Sequence, residues 1–506
     1  MPAKLLVAGG RVLRPDLECS IADVLVDGDT IAGVVEPGEV KDDNVRRIDA
    51  RGQLVIPGLV NGHNHAQTNL AKGLFDRHNL ETYLNASPWA GGRRTVEDHY
   101  LAAVIGAAEM VRKGCTASYD MFAEFPLPSA AGVEAVAKGY ADVGMRATIA
   151  PMMADRSFYE AIPGLADALP EPLRSEALKI RLADHRQSLA ACREMIRGWK
   201  YPLDLIRPAL GPTIPHHCSD EFLAGCRDLA KELDLGMQMH VGETKMQAVV
   251  ALRKYGRTMV AHLDSLGLLG PGFCVAHGVW LDDDDRARLA DRGASVSHNP
   301  GSNMKLGSGM ADARRMLDRG VNLAIGTDGA GCSDNLNVFE AMRMASFVAR
   351  VADHPPERWL SSREVFRAMS EGGAKALGFA GTIGRIERGY KADLVLLDLG
   401  HVHYVPLNDV VNQLVFCEDG TGVHSVMIGG KMVLEAGRFT TIDFARIAAQ
   451  AESAVERLRE ANRGARALAE KLEPYVGQYC TGLAATPYHV HRFCGPPAAD
   501  GAPAGR

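Results

Sequence analysis

The chain contains 506 residues, of which 46% are apolar and 23% charged, and its formal net charge is -6. This length exceeds one ordinary domain but suits a large barrel with an appended domain. The mild acidity argues against a nucleic-acid partner, which usually needs a basic surface. The sequence contains no run of 18 apolar residues, so we expect no membrane span. The N-terminus lacks the apolar stretch of a secretory signal and the ten cysteines are scattered singly, so we expect reduced thiols and a cytoplasmic protein.

Both flanks of the chain consist of short apolar runs separated by turns. The first flank spans residues 5–56 and the second spans residues 380–437. Two strand-rich flanks around a long middle predict one small β-sandwich domain, formed by residues 1–56 and 380–440.

The middle of the chain, residues 57–379, alternates short apolar runs with longer helical patterns. Such alternation is typical of parallel βα units. Eight units predict a (β/α)₈ TIM barrel, whose chemistry lies at the carboxyl ends of the strands. The eight runs end near His63, Met121, Pro151, Pro212, His240, His277, His298 and Asp328.

The C-terminal region, residues 441–506, forms a third part. Its first half, Ile442 to Leu472, is rich in Ala, Glu and Arg and predicts one long helix. The remainder, from Glu473, is rich in Pro and Gly and predicts an irregular tail. That tail holds His489, His491 and Cys494, which could form a metal trio, although a loop packing on the barrel or on a neighbouring subunit is the simpler interpretation.

Polar side chains end four of the predicted strands. The first ends in His63-Asn64-His65, the fifth in His240-Val241-Gly242-Glu243, the sixth in His277 and the eighth in Asp328. His63 and His65 lie two residues apart, so both imidazoles face the same side of a strand. In a barrel all these strand ends converge on one mouth.

Three histidines and one aspartate suit a divalent ion such as Zn²⁺, with Fe²⁺ as an alternative. Such an ion lowers the pKa of a bound water toward ~7 and so provides a hydroxide near neutral pH. Asp328 could accept the water's proton, and Glu243 could carry it to the leaving group. Each motif taken alone has an ordinary structural explanation: a hydrogen-bonded core histidine or a turn. Their joint occurrence, each at a predicted strand end, favours the metal site.

Several segments resemble the motifs of the amidohydrolase superfamily. They are Ile56-Pro57-Gly58-Leu59-Val60-Asn61-Gly62-His63-Asn64-His65, His240 to Glu243, Val275-Ala276-His277, Ser297-His298-Asn299-Pro300 and Gly326-Thr327-Asp328-Gly329. The chain is most similar to the chlorohydrolase and deaminase branch, which includes atrazine chlorohydrolase-like enzymes and deaminases of methylthioadenosine and S-adenosylhomocysteine. The resemblance covers roughly residues 5–440.

The resemblance implies a role for each of these residues. His63, His65, His240 and Asp328 would bind one metal ion, Glu243 would be the proton shuttle, and His277 would orient the hydroxide or the attacked atom. We find no strand-end lysine placed to bridge two metals, which favours a mononuclear site. Candidate substrate contacts are His298, for which a supporting role is the alternative, and Trp89 and Trp280, for which ordinary packing is the alternative.

We therefore expect a metal-dependent hydrolase that attacks a C–N bond at an sp² carbon and deaminates a nitrogen heterocycle of the purine, pterin, pyrimidine or triazine type. Hydrolysis of an exocyclic amide, urea, alkylamine or C–Cl bond by the same site is the main alternative. A non-catalytic scaffold is a remote one, because the chain retains every ligand and the acid. We expect a small-molecule substrate, no nucleic-acid or membrane partner, and a homo-oligomer.

Overall fold

The computed structural model describes residues 4–352 and 354–493. Five strands open the chain and belong to a small sheet. They are β1 (Leu5–Leu13), β2 (Cys19–Asp27), β3 (Thr30–Val35), β4 (Arg46–Asp49) and β5 (Gln53–Pro57).

The middle of the chain supplies the second sheet. Its strands are β6 (Leu59–Asn64), β7 (Cys115–Asp120), β8 (Arg146–Ile149), β9 (Met152–Met153), β10 (Ile206–Pro212), β11 (Gly236–Val241), β12 (Phe273–His277), β13 (Ser295–His298) and β14 (Asn322–Ile325). Eight of them pair in parallel in the order β14-β13-β12-β11-β10-β8-β7-β6, and the two-residue β9 pairs with β10. The Asp328 amide donates to the carbonyl of His63 at 3.0 Å, which joins the last strand end to the first. The predicted (β/α)₈ barrel is confirmed.

Four strands then return to the small sheet: β15 (Leu394–Asp398), β16 (Val423–Ile428), β17 (Lys431–Glu435) and β18 (Arg438–Phe439). Antiparallel pairing of β15 with β5 joins the two chain ends. The small β domain formed by both ends is therefore confirmed, and its nine strands belong to one hydrogen-bonded sheet. A bridge between Thr30 and Lys391 brings the edge at β3 back toward β15, so the sheet curls around its own apolar core. The domain boundaries stay a prediction.

Helices separate the barrel strands and extend the C-terminus. The α-helices are α1 (Leu80–Ala90), α2 (Val96–Arg112), α3 (Ala130–Val143), α4 (Phe158–Ala161), α5 (Leu165–Ala168), α6 (Leu173–Ala177), α7 (His185–Arg197), α8 (Asp220–Leu233), α9 (Lys245–Tyr255), α10 (Met259–Ser265), α11 (Asp283–Asp291), α12 (Pro300–Lys305), α13 (Ala313–Asp318), α14 (Val338–Val351), α15 (Ser362–Arg367), α16 (Gly373–Ala376), α17 (Val410–Phe416), α18 (Phe444–Ala461) and α19 (Arg463–Ala484). Short 3₁₀ turns occur at Ala66–Ala71, Pro215–His217, Pro356–Arg358 and Val402–Tyr404, and a π-helical turn at Ala368–Gly372. Over residues 4–352 and 354–493, no helix is both long and apolar enough to cross a membrane.

The C-terminal region differs from its prediction in two respects. The expected single helix is interrupted at Asn462, whose side-chain amide donates to Gly92 O at 2.9 Å. The second helix then continues to Ala484, so the first part of the expected irregular tail is helical. Four apolar residues at helical spacing explain the extension, because they pack into a buried cluster with residues of α9, and this burial outweighs the helix-breaking tendency of Pro474. They are Leu472, Val476, Cys480 and Leu483.

Candidate active site

Three imidazoles converge at the carboxyl ends of the barrel strands. Each donates its Nδ1–H to an oxygen of the barrel: His63 to Gln238 Oε1 at 2.8 Å, His65 to Met121 O at 2.6 Å, and His240 to Thr213 O at 2.8 Å. These hydrogen bonds fix the tautomer, so the three Nε2 atoms carry lone pairs. Among the residues that the structure describes, His63 Nε2 has no hydrogen-bond partner.

Three distances among the four candidate ligand atoms match the spacing around one ion. His65 Nε2 lies 3.1 Å from His240 Nε2, and Asp328 Oδ1 lies 3.4 Å from His63 Nε2 and 3.3 Å from His65 Nε2. Ligand atoms about 2.0–2.1 Å from a tetrahedral ion lie roughly 3.3 Å apart. With their protons on Nδ1, two facing Nε2 lone pairs repel each other unless a cation lies between them. The donor set therefore fits a divalent metal, and three of its members, His63, His65 and His240, form a group that could hold one.

Burial keeps the His65 and His240 imidazoles in the neutral form that metal binding needs. It lowers the pKa of His65 to about 4 and that of His240 well below its usual value, and neighbouring imidazoles add to both shifts. Burial opposes ionisation of Asp328, but the closeness of the His63, His65 and His277 imidazoles outweighs burial and holds the pKa of this carboxyl well below its usual range. Asp328 also accepts hydrogen bonds from Ser302 Oγ and from the Gly329 amide, both at 2.6 Å.

Glu243 and His277 lie beside this cluster. Glu243 Oε2 is 3.7 Å from His277 Nε2, which is itself 3.9 Å from Asp328 Oδ2. Burial raises the pKa of Glu243 well above its usual value, and the charges of Asp328 and Glu81 raise it further. Two carboxyls whose pKa values are driven apart are typical of an acid and base pair. The structure therefore brings together all six residues of the predicted metal and catalytic set.

Backbone strain accompanies two of these side chains. His277 has φ = 75° and Asp328 has φ = 62°, both in the left-handed region that side chains other than glycine rarely adopt. Such conformations cost about 1–3 kcal/mol and persist only where the surroundings enforce them. His277 Nδ1 donates to Asn303 Oδ1 at 2.8 Å, so its Nε2 is left as a hydrogen-bond acceptor that faces the cluster.

The predicted substrate contacts lie in varied surroundings. Trp89 is in α1 and packs against the Phe75 ring and the Arg466 guanidinium. Trp280 is 2% exposed, its Nε1 donates to Ser308 O at 2.8 Å, and its ring contacts Tyr488 and Phe493. These contacts favour a packing role for both tryptophans.

His298 is buried, and neither of its ring nitrogens bonds to a residue in the described part of the chain. A substrate contact by His298 stays a prediction.

The candidate metal trio of the C-terminal tail consists of His489, His491 and Cys494. His489 bonds to Asp282 at 2.9 Å, and Cys494 lies outside the described residues.

Four site residues escaped the sequence analysis. Gln238 lies two residues before His240 on β11, so strand alternation could have placed it inside the barrel. Ser302 and Asn303 lie in α12, immediately after the seventh strand. Glu81 lies in α1 and accepts a hydrogen bond from Thr244 at 2.8 Å. No local sequence pattern predicts this contact between distant segments.

Comparison with known proteins agrees with this geometry. A sequence profile described as the amidohydrolase family matches residues 54–433, most of the chain. This chain belongs to the amidohydrolase family. Two relatives of this amidohydrolase are a 5'-deoxyadenosine deaminase of Methanosarcina mazei, 34% identical over 84% of this chain and 93% of the relative, and a 5-methylthioadenosine/S-adenosylhomocysteine deaminase of Thermococcus kodakarensis, 33% identical over 85% and 94%.

Two solved structures resemble the amidohydrolase closely. An adenosine deaminase from Xanthomonas campestris with bound zinc superposes with a TM-score of 0.78 and 29% identity, covering 91% of this chain and 99% of that chain. An atrazine chlorohydrolase from Arthrobacter aurescens complexed with zinc superposes with a TM-score of 0.79 and 25% identity, covering 89% and 100%. The predicted superfamily and branch are confirmed, and the protein is a hydrolytic enzyme. The scaffold alternative is set aside.

Proposed function

We propose that His63, His65, His240 and Asp328 hold one divalent ion, and that zinc is the native metal. Three distances of 3.1–3.4 Å, which connect the three Nε2 atoms and the Asp328 carboxylate oxygen in one chain, carry this proposal. Nitrogen and oxygen donors of this kind suit zinc, and both solved neighbours contain it. When bound, the ion supplies Lewis acidity that makes a water molecule nucleophilic near neutral pH.

Asp328 and His277 prepare the water for attack. Asp328 is ionised, because its pKa is held low, and it therefore accepts a proton from the water. His277 presents Nε2 as an acceptor, because its Nδ1–H is bonded to Asn303. This Nε2 accepts a hydrogen bond from the water's second O–H and so orients the oxygen toward the substrate. Burial lowers the pKa of His277 to about 4, which keeps this imidazole neutral and able to accept.

Glu243 provides the acid. Its raised pKa keeps the carboxyl protonated until substrate binds. We propose that it donates this proton to the ring nitrogen beside the attacked carbon, so that the tetrahedral intermediate forms without a bare anion. Asp328 then passes the proton that it took from the water to the leaving ammonia. The remaining hydroxyl proton returns to Glu243, so the ring carbon keeps a carbonyl oxygen and the acid is restored.

The proposed substrate is an adenosine derivative altered at its 5' position. The reaction replaces the 6-amino group of its purine with oxygen. The amino-bearing ring carbon next to a ring nitrogen matches the acid and base arrangement, and two relatives are named as deaminases of such compounds. Displacement of chloride or an alkylamine from a triazine is the second candidate, because a solved neighbour is an atrazine chlorohydrolase.

The test measures ammonia release with the zinc-loaded enzyme on 5'-deoxyadenosine, 5'-methylthioadenosine, S-adenosylhomocysteine and atrazine. We expect ammonia and the 6-oxo purine nucleoside in equal amounts. The His240→Ala variant, which lacks one ligand, should retain its fold but lose bound zinc and activity together. Chloride release from atrazine as the fastest reaction would replace the deaminase assignment, whereas full activity in metal-free protein would remove the metal mechanism.

We further propose that the enzyme works in the cytoplasm as a homo-oligomer and binds no nucleic acid. Burial raises the pKa of Cys115, Cys192 and Cys274 to about 12, which keeps these thiols protonated and inert in a reducing compartment. Size-exclusion chromatography with light scattering tests the oligomeric state.

A further inference from the structure

The C-terminal segment crosses the turn that carries His277. Arg492 donates from Nε to Val279 O at 2.9 Å and from a terminal nitrogen to Leu281 O at 2.6 Å. Its side chain is only 11% exposed. The fork of one guanidinium thus holds two carbonyls of a single turn, a geometry that a lysine cannot reproduce. Arg492 lies far beyond residue 433, where the family match ends.

The turn held by Arg492 connects to the catalytic loops on both sides. Gly278 N donates to Val241 O at 3.2 Å, and Trp280 N donates to Gly242 O at 2.8 Å. Gly242 is the residue before Glu243. These hydrogen bonds therefore also connect the turn that begins at His277 to the loop that carries Glu243.

A second connection runs through the loop after α12. The Met310 amide donates to Arg492 O at 2.8 Å, and Trp280 Nε1 donates to Ser308 O. Gly309, at φ = 114°, lies so close that a Cβ there would be 2.9 Å from Arg492 O. This loop follows α12, whose Asn303 binds His277 and whose Ser302 binds Asp328.

We propose that Arg492 is a positioning residue for the reaction. It holds the strained turn of His277 in the conformation that directs His277 Nε2 toward the candidate metal ligands. The φ of 75° at His277 persists only where the surroundings enforce it, and Arg492 adds a constraint from outside the barrel to those of Asn303 and of the Gly278 and Trp280 amides. Arg492 touches neither the ligands nor Glu243, so it acts through His277. A small displacement of a catalytic group lowers turnover steeply. The kinetic part of the inference rests on the proposed deamination.

The test compares Arg492→Ala and Arg492→Lys with Arg463→Ala, an arginine of the same region whose ion pair with Glu460 is exposed. We expect Arg492→Ala to lower kcat by about 10- to 100-fold with KM changed less than threefold and zinc content retained. Arg492→Lys should recover only part of the loss, and Arg463→Ala should match the parent.

Hydrogen exchange measured by mass spectrometry gives a readout that needs no substrate. Peptides spanning residues 277–282 should exchange faster in Arg492→Ala than in the parent, because the Gly278 and Trp280 amides of this turn are protected by hydrogen bonds to Val241 O and Gly242 O. Unchanged exchange with kcat within twofold of the parent overturns the proposal, as does a kcat loss that follows lost zinc or unfolded protein. If the parent releases no ammonia from any aminated substrate, the proposed function fails, but the exchange data still decide whether Arg492 holds the turn.

Discussion

Gln238 joins His63 to the barrel wall. Its Oε1 accepts the His63 Nδ1–H at 2.8 Å, and its Nε2 donates to Gly62 O at 2.9 Å. Since the Gly62 carbonyl fixes which end of the amide is the oxygen, the amide in turn fixes which nitrogen of His63 carries the proton. The Nε2 lone pair therefore faces the other ligands.

Removing the Gln238 amide should weaken metal binding without removing a ligand. We expect Gln238→Met to lower zinc affinity by about 10- to 100-fold, the usual effect of losing the hydrogen-bond partner of a ligand. Competition with a chromophoric chelator measures this change. Gln413→Met is the matched control, because Gln413 is a buried amide of α17 that bonds to His403 O instead. Equal zinc affinity in parent and Gln238→Met would contradict the tautomer argument.

The Glu243 carboxyl is expected to act as the proton carrier. Glu243→Gln preserves shape but cannot donate and recover a proton, so we expect zinc to remain bound and kcat to fall by about 10²–10⁴-fold. Steady-state kinetics on the best adenosine derivative measure the loss. Glu81→Gln is the comparison, because Glu81 is a second buried carboxyl beside Glu243. A larger kcat loss in Glu81→Gln than in Glu243→Gln would transfer the role to Glu81.

The sequence could predict which residues lie together at the barrel mouth because most of them lie at or just after the carboxyl end of a barrel strand. His63, His240 and Asp328 follow apolar runs, and the topology of a parallel barrel brings such ends together whatever the intervening helices do. The resemblance to a known family then supplied the role of each residue.

Residues that reach the site from elsewhere could not be predicted in this way. Arg492 and Glu81 contact the catalytic loops through tertiary packing, and neither has a local pattern that signals it. Trp280 illustrates the same limit. A tryptophan in a loop beside His277 suggested a surface for a flat substrate, but whether its ring meets substrate or protein depends on the C-terminal segment, whose path over the barrel the sequence did not indicate.

Asp285 should make stability depend on pH. Burial raises the pKa of this carboxyl to about 6, whereas hydrogen bonds from Thr258 and Asp282 oppose the rise. The folded state then binds the proton more tightly than the unfolded chain, so the free energy of unfolding falls as pH rises from about 4 to about 6. A shift of about two pKa units corresponds to about 3 kcal/mol at most.

We expect Asp285→Asn to flatten this part of the pH profile, measured by urea unfolding between pH 4 and pH 7. Asp284→Asn alters an exposed neighbour and should leave the profile unchanged. An identical slope in the parent and in Asp285→Asn would show that other groups govern the dependence.

The pair Arg146 and Asp393 should dominate the attachment of the β domain to the barrel. Arg146 Nε lies 2.7 Å from Asp393 Oδ2, a terminal nitrogen lies 2.9 Å from Oδ1, and the two side chains are 3% and 1% exposed. Gly429 N also donates to Asp393 Oδ1 at 2.8 Å. Arg146 begins β8, and Asp393 precedes β15, so this bidentate pair bridges the two sheets.

Breaking the pair on one side leaves a buried carboxylate without its cation. We therefore expect Arg146→Met to lower the free energy of unfolding by about 3–5 kcal/mol. The double variant with Asp393→Asn should regain part of that loss, because the uncompensated charge is gone. Arg463→Met removes an exposed ion pair and should cost less than about 1 kcal/mol. Urea unfolding of the four proteins measures these differences. If Arg146→Met costs no more than Arg463→Met, water reaches Asp393 and the β domain is held to the barrel by its apolar contacts instead.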